Sequence, residues 1–172
     1  MPQQSTVRIA HAVDYQEIWR LFLQGHRENG LFTLAPEKVQ WFMNRVLHPE
    51  SIPPGDTGSR GVIGVIGDPG ALEGLVFLTI GTYWYSHQKH IEEFIVYVDP
   101  ECRKSEHAQE LVQWMKDQVE ITGLPLMTGI ISTHRTEAKC RLYRRMLPKI
   151  GEFFLLSPKG GMMVPALTNT SS

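Results

Sequence analysis

The chain has 172 residues, 42% of them hydrophobic and 20% charged, with a formal net charge of -1. This is the composition of a globular protein long enough for one full-sized core and short for two, so a single domain over 1–172 is expected, with loose ends at 1–5 and 166–172. Charge this close to balance excludes a global field for nucleic acid or a membrane surface, and any partner has to be read locally.

Cys102 and Cys140 are too few for a disulfide framework, and no N-terminal stretch combines basic residues with a long apolar run. The most apolar stretch, Gly74 to Tyr85, falls short of the roughly 20 residues that span a bilayer. A soluble protein of the reducing cytoplasm is expected.

In chain order, Val7 and Ile9 mark a strand over Thr6 to Val13, and Asp14 offers a side-chain oxygen to the first free N–H groups of a helix. That helix runs from Tyr15 to about Gly25, with Ile18, Leu21 and Phe22 at helical spacing. After Gly30, Pro36 suits a first helical position, and Val39, Phe42, Met43, Val46 and Leu47 form a second stripe that Pro49 stops. Pro49 to Arg60 is rich in proline, glycine and small polar residues and reads as a surface loop.

Gly61 to Gly67 and Leu72 to Tyr85 are β-branched and aromatic runs around Asp68, Pro69 and Gly70, which predicts a hairpin. His90 to Val98 is a third strand, so continuously apolar after Glu93 that both its faces should be covered. Ala108, Leu111, Val112, Met115 and Val119 make a helical stripe ended by Gly123 and Pro125, and Leu126 to Ser132 returns as a strand. Strand, helix and strand in that order imply a parallel crossover. Thr136 to Leu147 reads as a last helix, Ile150 to Leu156 as a last long strand and Met162 to Val164 as a short edge strand.

The polar bend between Val98 and Leu111 places the free N–H groups of a helix start at the end of a sheet strand, a ready anion site. Its sequence VDPECRKSEHA, Val98 to Ala108, resembles the strand end and Arg/Gln-x-x-Gly-x-Gly/Ala loop of the GCN5-related N-acetyltransferase family. Arg103 and Ala108 match, and Glu106 stands where glycine is usual. LYRRMLPKIGE, Leu142 to Glu152, is similar to that family's helix-turn-strand segment, with Tyr143 on its tyrosine, Leu147 and Pro148 in place of Gly-Phe, and Thr136 in place of an asparagine.

The resemblance covers nearly the whole chain. It implies an α/β (α+β) fold with a mixed, mostly antiparallel, twisted sheet of roughly six to seven strands and helices on both faces. It also implies acetyl-CoA as co-substrate, no metal, and transfer to a primary amine. The cofactor residues it implies are Val96 and Val98 on the strand, then Arg103, Lys104, Ser105, Glu106, His107 and Ala108, mainly through backbone N–H groups. Arg141, Arg144 and Arg145 either reach a phosphate or form a solvated basic face.

Glu92 and Glu93 point to opposite faces of a strand, and spacing back from the Val98 strand end favours Glu92. The resemblance makes a strand glutamate there the base that takes the amine proton; otherwise both solvate the strand start. Tyr143 is either the acid for the departing thiolate or a half-buried aromatic. The histidines show no metal-ligand spacing. Tyr83 to His90 either lines an acceptor site or a contact with a protein partner or second copy, or is an ordinary hairpin tip.

Glu106 separates two functions. Glycine would admit a phosphate, whereas glutamate adds bulk and like charge and fills the anion site from within. An N-acetyltransferase and a catalytically inactive protein of the same fold, serving as a structural or interaction module of a larger assembly, are both consistent with these residues.

Overall fold

The computed structural model describes residues 6–56 and 60–156. Its sheet has five strands in chain order: β1 (Arg8–Ile9), β2 (Gly61–Asp68), β3 (Ala71–Thr82), β4 (Lys89–Val98) and β5 (Leu126–Met127). All neighbours are antiparallel except β4 and β5, which are parallel. The helices are α1 (Tyr15–Asn29), α2 (Pro36–Leu47), α3 (His107–Thr122) and α4 (Thr136–Met146). This is the expected mixed, mostly antiparallel sheet, with fewer strands among the described residues than the resemblance implied.

Two cores lie on opposite faces of the sheet. Ile18 and Leu21 of α1 and Phe42, Met43 and Leu47 of α2 pack on Ile63, Val65, Leu75 and Phe77. Leu111, Val112, Trp114 and Met115 of α3 pack on Ile66, Val76, Leu78, Ile91 and Val98 from the other side, with Leu142 and Tyr143 of α4 at the margin. Each fully buried aliphatic or aromatic side chain contributes about 1.5–3 kcal/mol. This is why the central strands are apolar on both faces, as the sequence of β4 suggested. Gly64 lacks a side chain because Trp114 occupies its space: a Cβ there would sit 2.8 Å from the indole.

The hairpin turn forms at Pro69 and Gly70, with Gly70 at φ +86, the left-handed conformation a type II turn needs at that position. Gly123 ends α3 with φ 66 and an N–H bond to the Val119 carbonyl.

Several expectations are corrected. Asp14 does not cap α1, because its own backbone is already helical; its buried carboxylate turns back to accept Nη1 and Nη2 of Arg8 at 2.8 and 2.7 Å and the His11 N–H at 2.9 Å. The first strand shortens to Arg8–Ile9, and α1 runs past Gly25 to Asn29. β3 ends at Thr82, leaving Tyr83 to Gln88 as a loop.

The strand expected over Leu126 to Ser132 stops at Met127, where it parts from β4. Ile150 to Leu156 is not a strand. With β5 so short it finds no edge to continue, and its apolar side chains stand exposed, Phe154 at 89%. Met162 to Val164 lies outside the described residues. Among the described residues no helix is long and apolar enough to cross a membrane.

Candidate active site

The functional geometry starts with one extra residue. Along β4 the partners on β3 run Glu93↔Leu78 and then Ile95↔Phe77, so Phe94 has no counterpart and forms a bulge. Phe94 and Ile95 consequently both face α1 and α2, with Phe94 edge-on to Phe42 at 5.3 Å and Ile95 in the α1 core. The alternation is shifted by one, and Glu93 shares the face of Val96 and Val98.

At the same level β4 and β5 separate. Their pairing is limited to Ile91↔Leu126 and Glu92↔Met127. Beyond it the strands enclose a cavity of about 440 Å³, walled by β4, residues 127–132, the C-terminal end of α1, the bend after β4, and α4.

Glu93 forms the polar part of its floor. Thr128 Oγ1 donates to its Oε2 at 2.5 Å and the Tyr143 hydroxyl donates to the same oxygen at 3.3 Å. Burial pushes the carboxyl up to about 7, although both hydrogen bonds and the charge of Lys139 act in the opposite direction. Burial, followed by the neighbouring Glu93 charge, pushes the Tyr143 phenol well above its ordinary value. A carboxyl that titrates near neutrality beside a phenol that keeps its proton can exchange protons with a bound reactant.

Glu92 lines the same cavity on the opposite face of the strand, where His90 Nε2 lies 2.7 Å from its Oε1. The count by twos from Val98 is therefore corrected by the bulge: Glu93, and not Glu92, meets Tyr143.

The mouth is built from α1, the bend and α4. Glu28 Oε2 accepts from Arg103 Nη2 at 2.5 Å, and its Oε1 accepts from the Tyr97 hydroxyl at 2.8 Å. Arg103 also lies over the Tyr97 ring, 5.4 Å from its centroid. Across the opening Lys139 Nζ donates to Asn29 Oδ1 at 2.6 Å and Ser132 Oγ at 2.8 Å. Burial first, then repulsion from Arg103 and Arg135, lowers the Lys139 ammonium to about 8, against the attraction of Glu28 and Glu93.

Of the residues singled out from sequence, Glu92, Val96, Val98, Arg103, Ser105, Ala108 and Tyr143 line this cavity. Lys104 and Glu106 are exposed and outside its lining. Glu106 precedes α3 with φ -87 and no side-chain capping bond, so its carboxylate does not fill the helix N-terminus from within. That φ is one any residue adopts, which removes the conformational need for glycine.

His107 is also outside the lining, turned between Glu73 Oε2 at 2.5 Å and Glu110 Oε2 at 2.9 Å. Arg141, Arg144 and Arg145 are exposed on α4, away from the cavity. Trp84 stands 87% exposed in the loop before β4.

Thr128, Lys139, Glu28, Asn29 and Ser132 are the contributors that sequence reasoning missed, and Glu93 is the glutamate that spacing set behind Glu92. Lys139 was accessible, since four residues before Tyr143 on a helix is the same face. Glu28 and Asn29 carry no local signal, because their partners lie far along the chain.

No family model matches the sequence, and no curated protein matches it. Solved structures do. A ribosomal-protein-alanine N-acetyltransferase from Brucella melitensis biovar Abortus 2308 is 14% identical, with 88% of this chain and 96% of that one covered at a TM-score of 0.61. A possible acetyltransferase from Clostridium difficile 630 is 14% identical, with 88% and 95% covered and a TM-score of 0.64. An integron cassette protein from the mobile metagenome of Cole Harbour Salt Marsh is 19% identical, with 92% and 93% covered and a TM-score of 0.63. The fold is that of the GCN5-related N-acetyltransferases, as the sequence resemblance implied.

Proposed function

We propose that this protein is a single-domain, acyl-CoA dependent N-acetyltransferase that moves an acetyl group from acetyl-CoA to a primary amine. The observation that carries the proposal is the Glu93–Tyr143 pair on the floor of the cleft opened by the β4 bulge. Amine acetylation needs a proton acceptor for the amine and a proton donor for the thiolate. Glu93, titrating near 7, takes the first role, and Tyr143 takes the second, handing its proton to sulfur as Glu93 returns one through their hydrogen bond, since a phenol raised this far does not ionise by itself.

In this reading the backbone of Val96 and Val98 lines the donor arm. The bend from Arg103 to Glu106 and the first turn of α3 turn backbone N–H groups to the pyrophosphate, aided by the helix dipole, apart from those of Ser105 and His107, which donate to the Cys102 carbonyl and to Ser105 Oγ. Ser105 and Ala108 leave the approach small and uncharged. The acetyl donor supplies an activated thioester; the chain supplies position, the exclusion of water and the two proton sites. Free Cys102 and Cys140 fit a cytoplasmic setting.

The pairing of Arg103 with Glu28 favours a second reading, a non-catalytic module of the same fold, because that guanidinium is already engaged. Its contact surface would be the exposed Tyr83, Trp84 and Tyr85. Calorimetric titration with acetyl-CoA, followed by turnover on a panel of primary amines, tests the choice. Binding and turnover that fall in Glu93→Gln are expected; absence of binding by the native protein overturns the enzyme reading.

A further inference from the structure

Lys139 is an amine inside the cleft that the mechanism above does not use. It precedes Tyr143 by one helical turn, so both side chains point from α4 into the same cavity. Its Nζ is held on two sides, by Asn29 Oδ1 at 2.6 Å and Ser132 Oγ at 2.8 Å. Those bonds use two of the three directions around the nitrogen. In the neutral amine the third carries a lone pair.

The surroundings raise the share of that neutral form. Burial, Arg103 from the bend and Arg135 from the start of α4 oppose the ammonium, outweighing Glu28 of α1 and Glu93 of β4, so it titrates at about 8. Near pH 7.5 roughly a quarter of Lys139 is then the free amine, against about one in a thousand for an ordinary lysine. Arg135, the residue before α4, has a left-handed backbone at φ 52, and its carbonyl accepts the Lys139 N–H at 3.2 Å.

We propose that Lys139 is an internal acetyl acceptor, modified by acetyl-CoA bound in the cleft beside Glu93 and Tyr143. The inference rests on the acetyltransferase reading. The Nζ lone pair forms a C–N bond to the thioester carbonyl carbon, and the C–S bond breaks with its electron pair on sulfur. The proton lost by the nitrogen goes to Glu93, and the sulfur takes one from Tyr143, which recovers it from Glu93 through their hydrogen bond. The products are acetyl-Lys139 and free coenzyme A.

Acetylation removes a cation that burial, Arg103 and Arg135 disfavour, while the remaining amide N–H still has Asn29 and Ser132 as acceptors. An amide is a poor acyl donor, so the modification is an end state. It occupies part of the cleft and limits further turnover.

The test incubates the full chain with acetyl-CoA, follows binding by calorimetry and maps acetylation by tryptic mass spectrometry. Acetylation blocks cleavage after Lys139, so an uncut, acetylated Thr136–Arg141 peptide is expected. It should form more than tenfold faster than modification of the exposed Lys104, and that rate advantage should be lost in Glu93→Gln. Lys139→Arg should bind acetyl-CoA and show no acetylation at this position. Binding without acetyl-Lys139, or modification at the rate of Lys104, overturns the inference alone. Absence of binding overturns it together with the acetyltransferase reading.

Discussion

Glu93→Gln keeps the shape of the side chain while deleting its charge, and so isolates what a carboxylate at the cleft floor does to stability. Burial raises this carboxyl from 4.5 to about 7. A carboxyl with a folded-state pKa above its unfolded value binds its proton more tightly in the folded protein. The native chain therefore loses stability as pH rises from about 4.5 to about 7, the reverse of an ion-paired acid. At about 1.4 kcal/mol for each pH unit of that window, the loss approaches about 3 kcal/mol.

Glutamine carries a pH-independent penalty of about 1 kcal/mol of its own, because its amide must coexist with two hydroxyl donors, Thr128 and Tyr143, aimed at one oxygen. The diagnostic quantity is thus the difference between variant and parent as a function of pH. Titrating groups out of reach of Glu93, such as His107 with its raised pKa, are common to both chains and cancel, whereas Lys139, whose ammonium Glu93 attracts, titrates differently in the variant and contributes at the upper end of the interval. Urea denaturation at about pH 5 and about pH 8 should show Glu93→Gln gaining about 2.5 kcal/mol on the parent across the interval, since the unfolded carboxyl is already largely ionised at the lower point. Parallel stability curves would refute the claim that Glu93 is a buried, neutral-titrating acid.

Tyr143→Phe removes the hydroxyl donor to Glu93 and should lower turnover about 10²-fold with little change in acetyl-CoA affinity; an unchanged rate discards the proton-donor role. Glu106→Gly should tighten acetyl-CoA binding by about fivefold at most, since an exposed carboxylate near a helix start carries about 1 kcal/mol or less. Binding by that variant from a native protein that shows none would instead mark Glu106 as the reason for an inactive chain. Asp14→Ala breaks the buried half of the Arg8 pair and should cost about 3 kcal/mol in urea denaturation at neutral pH. Asp14 is held below its usual carboxylate range, first by the hydrogen bond from Arg8, so its contribution is present above about pH 4 and lost as pH falls through its folded value. A neutral-pH loss below about 1 kcal/mol would show that the pair does not anchor β1.

The fold was legible where periodicity and chain order agree. The stripe ending at Gly123 and the apolar run before it define a crossover, and the parallel β4–β5 pairing follows from handedness and connection length. The hairpin at Pro69 and Gly70 has turn chemistry with one solution. Ile150 to Leu156 has the composition of a buried strand, yet composition does not supply a partner. Whether an apolar run pairs depends on an edge built elsewhere, and β5 stops too early to offer one. Asp14 shows the same limit in a helix cap: its residue type suits the role, but the 3-10 turn over Ala12–Asp14 rotates its oxygens toward Arg8.

The site was legible as a region and not as a set of side chains. Tyr143 and the bend at Arg103 could be located because each is tied to an element boundary. The glutamate could not, because choosing between Glu92 and Glu93 is a question of parity, and parity is decided by whether Phe94 is paired. Nothing in FIV announces a bulge. The same unpaired residue falls where β4 parts from β5 and turns Glu93 toward α4, bringing the cavity and its titratable group to the same level of the strand. The clustering of Thr128, Lys139 and Tyr143 around that carboxyl is what a long-range backbone irregularity produces, and it becomes visible only when the strands are laid side by side.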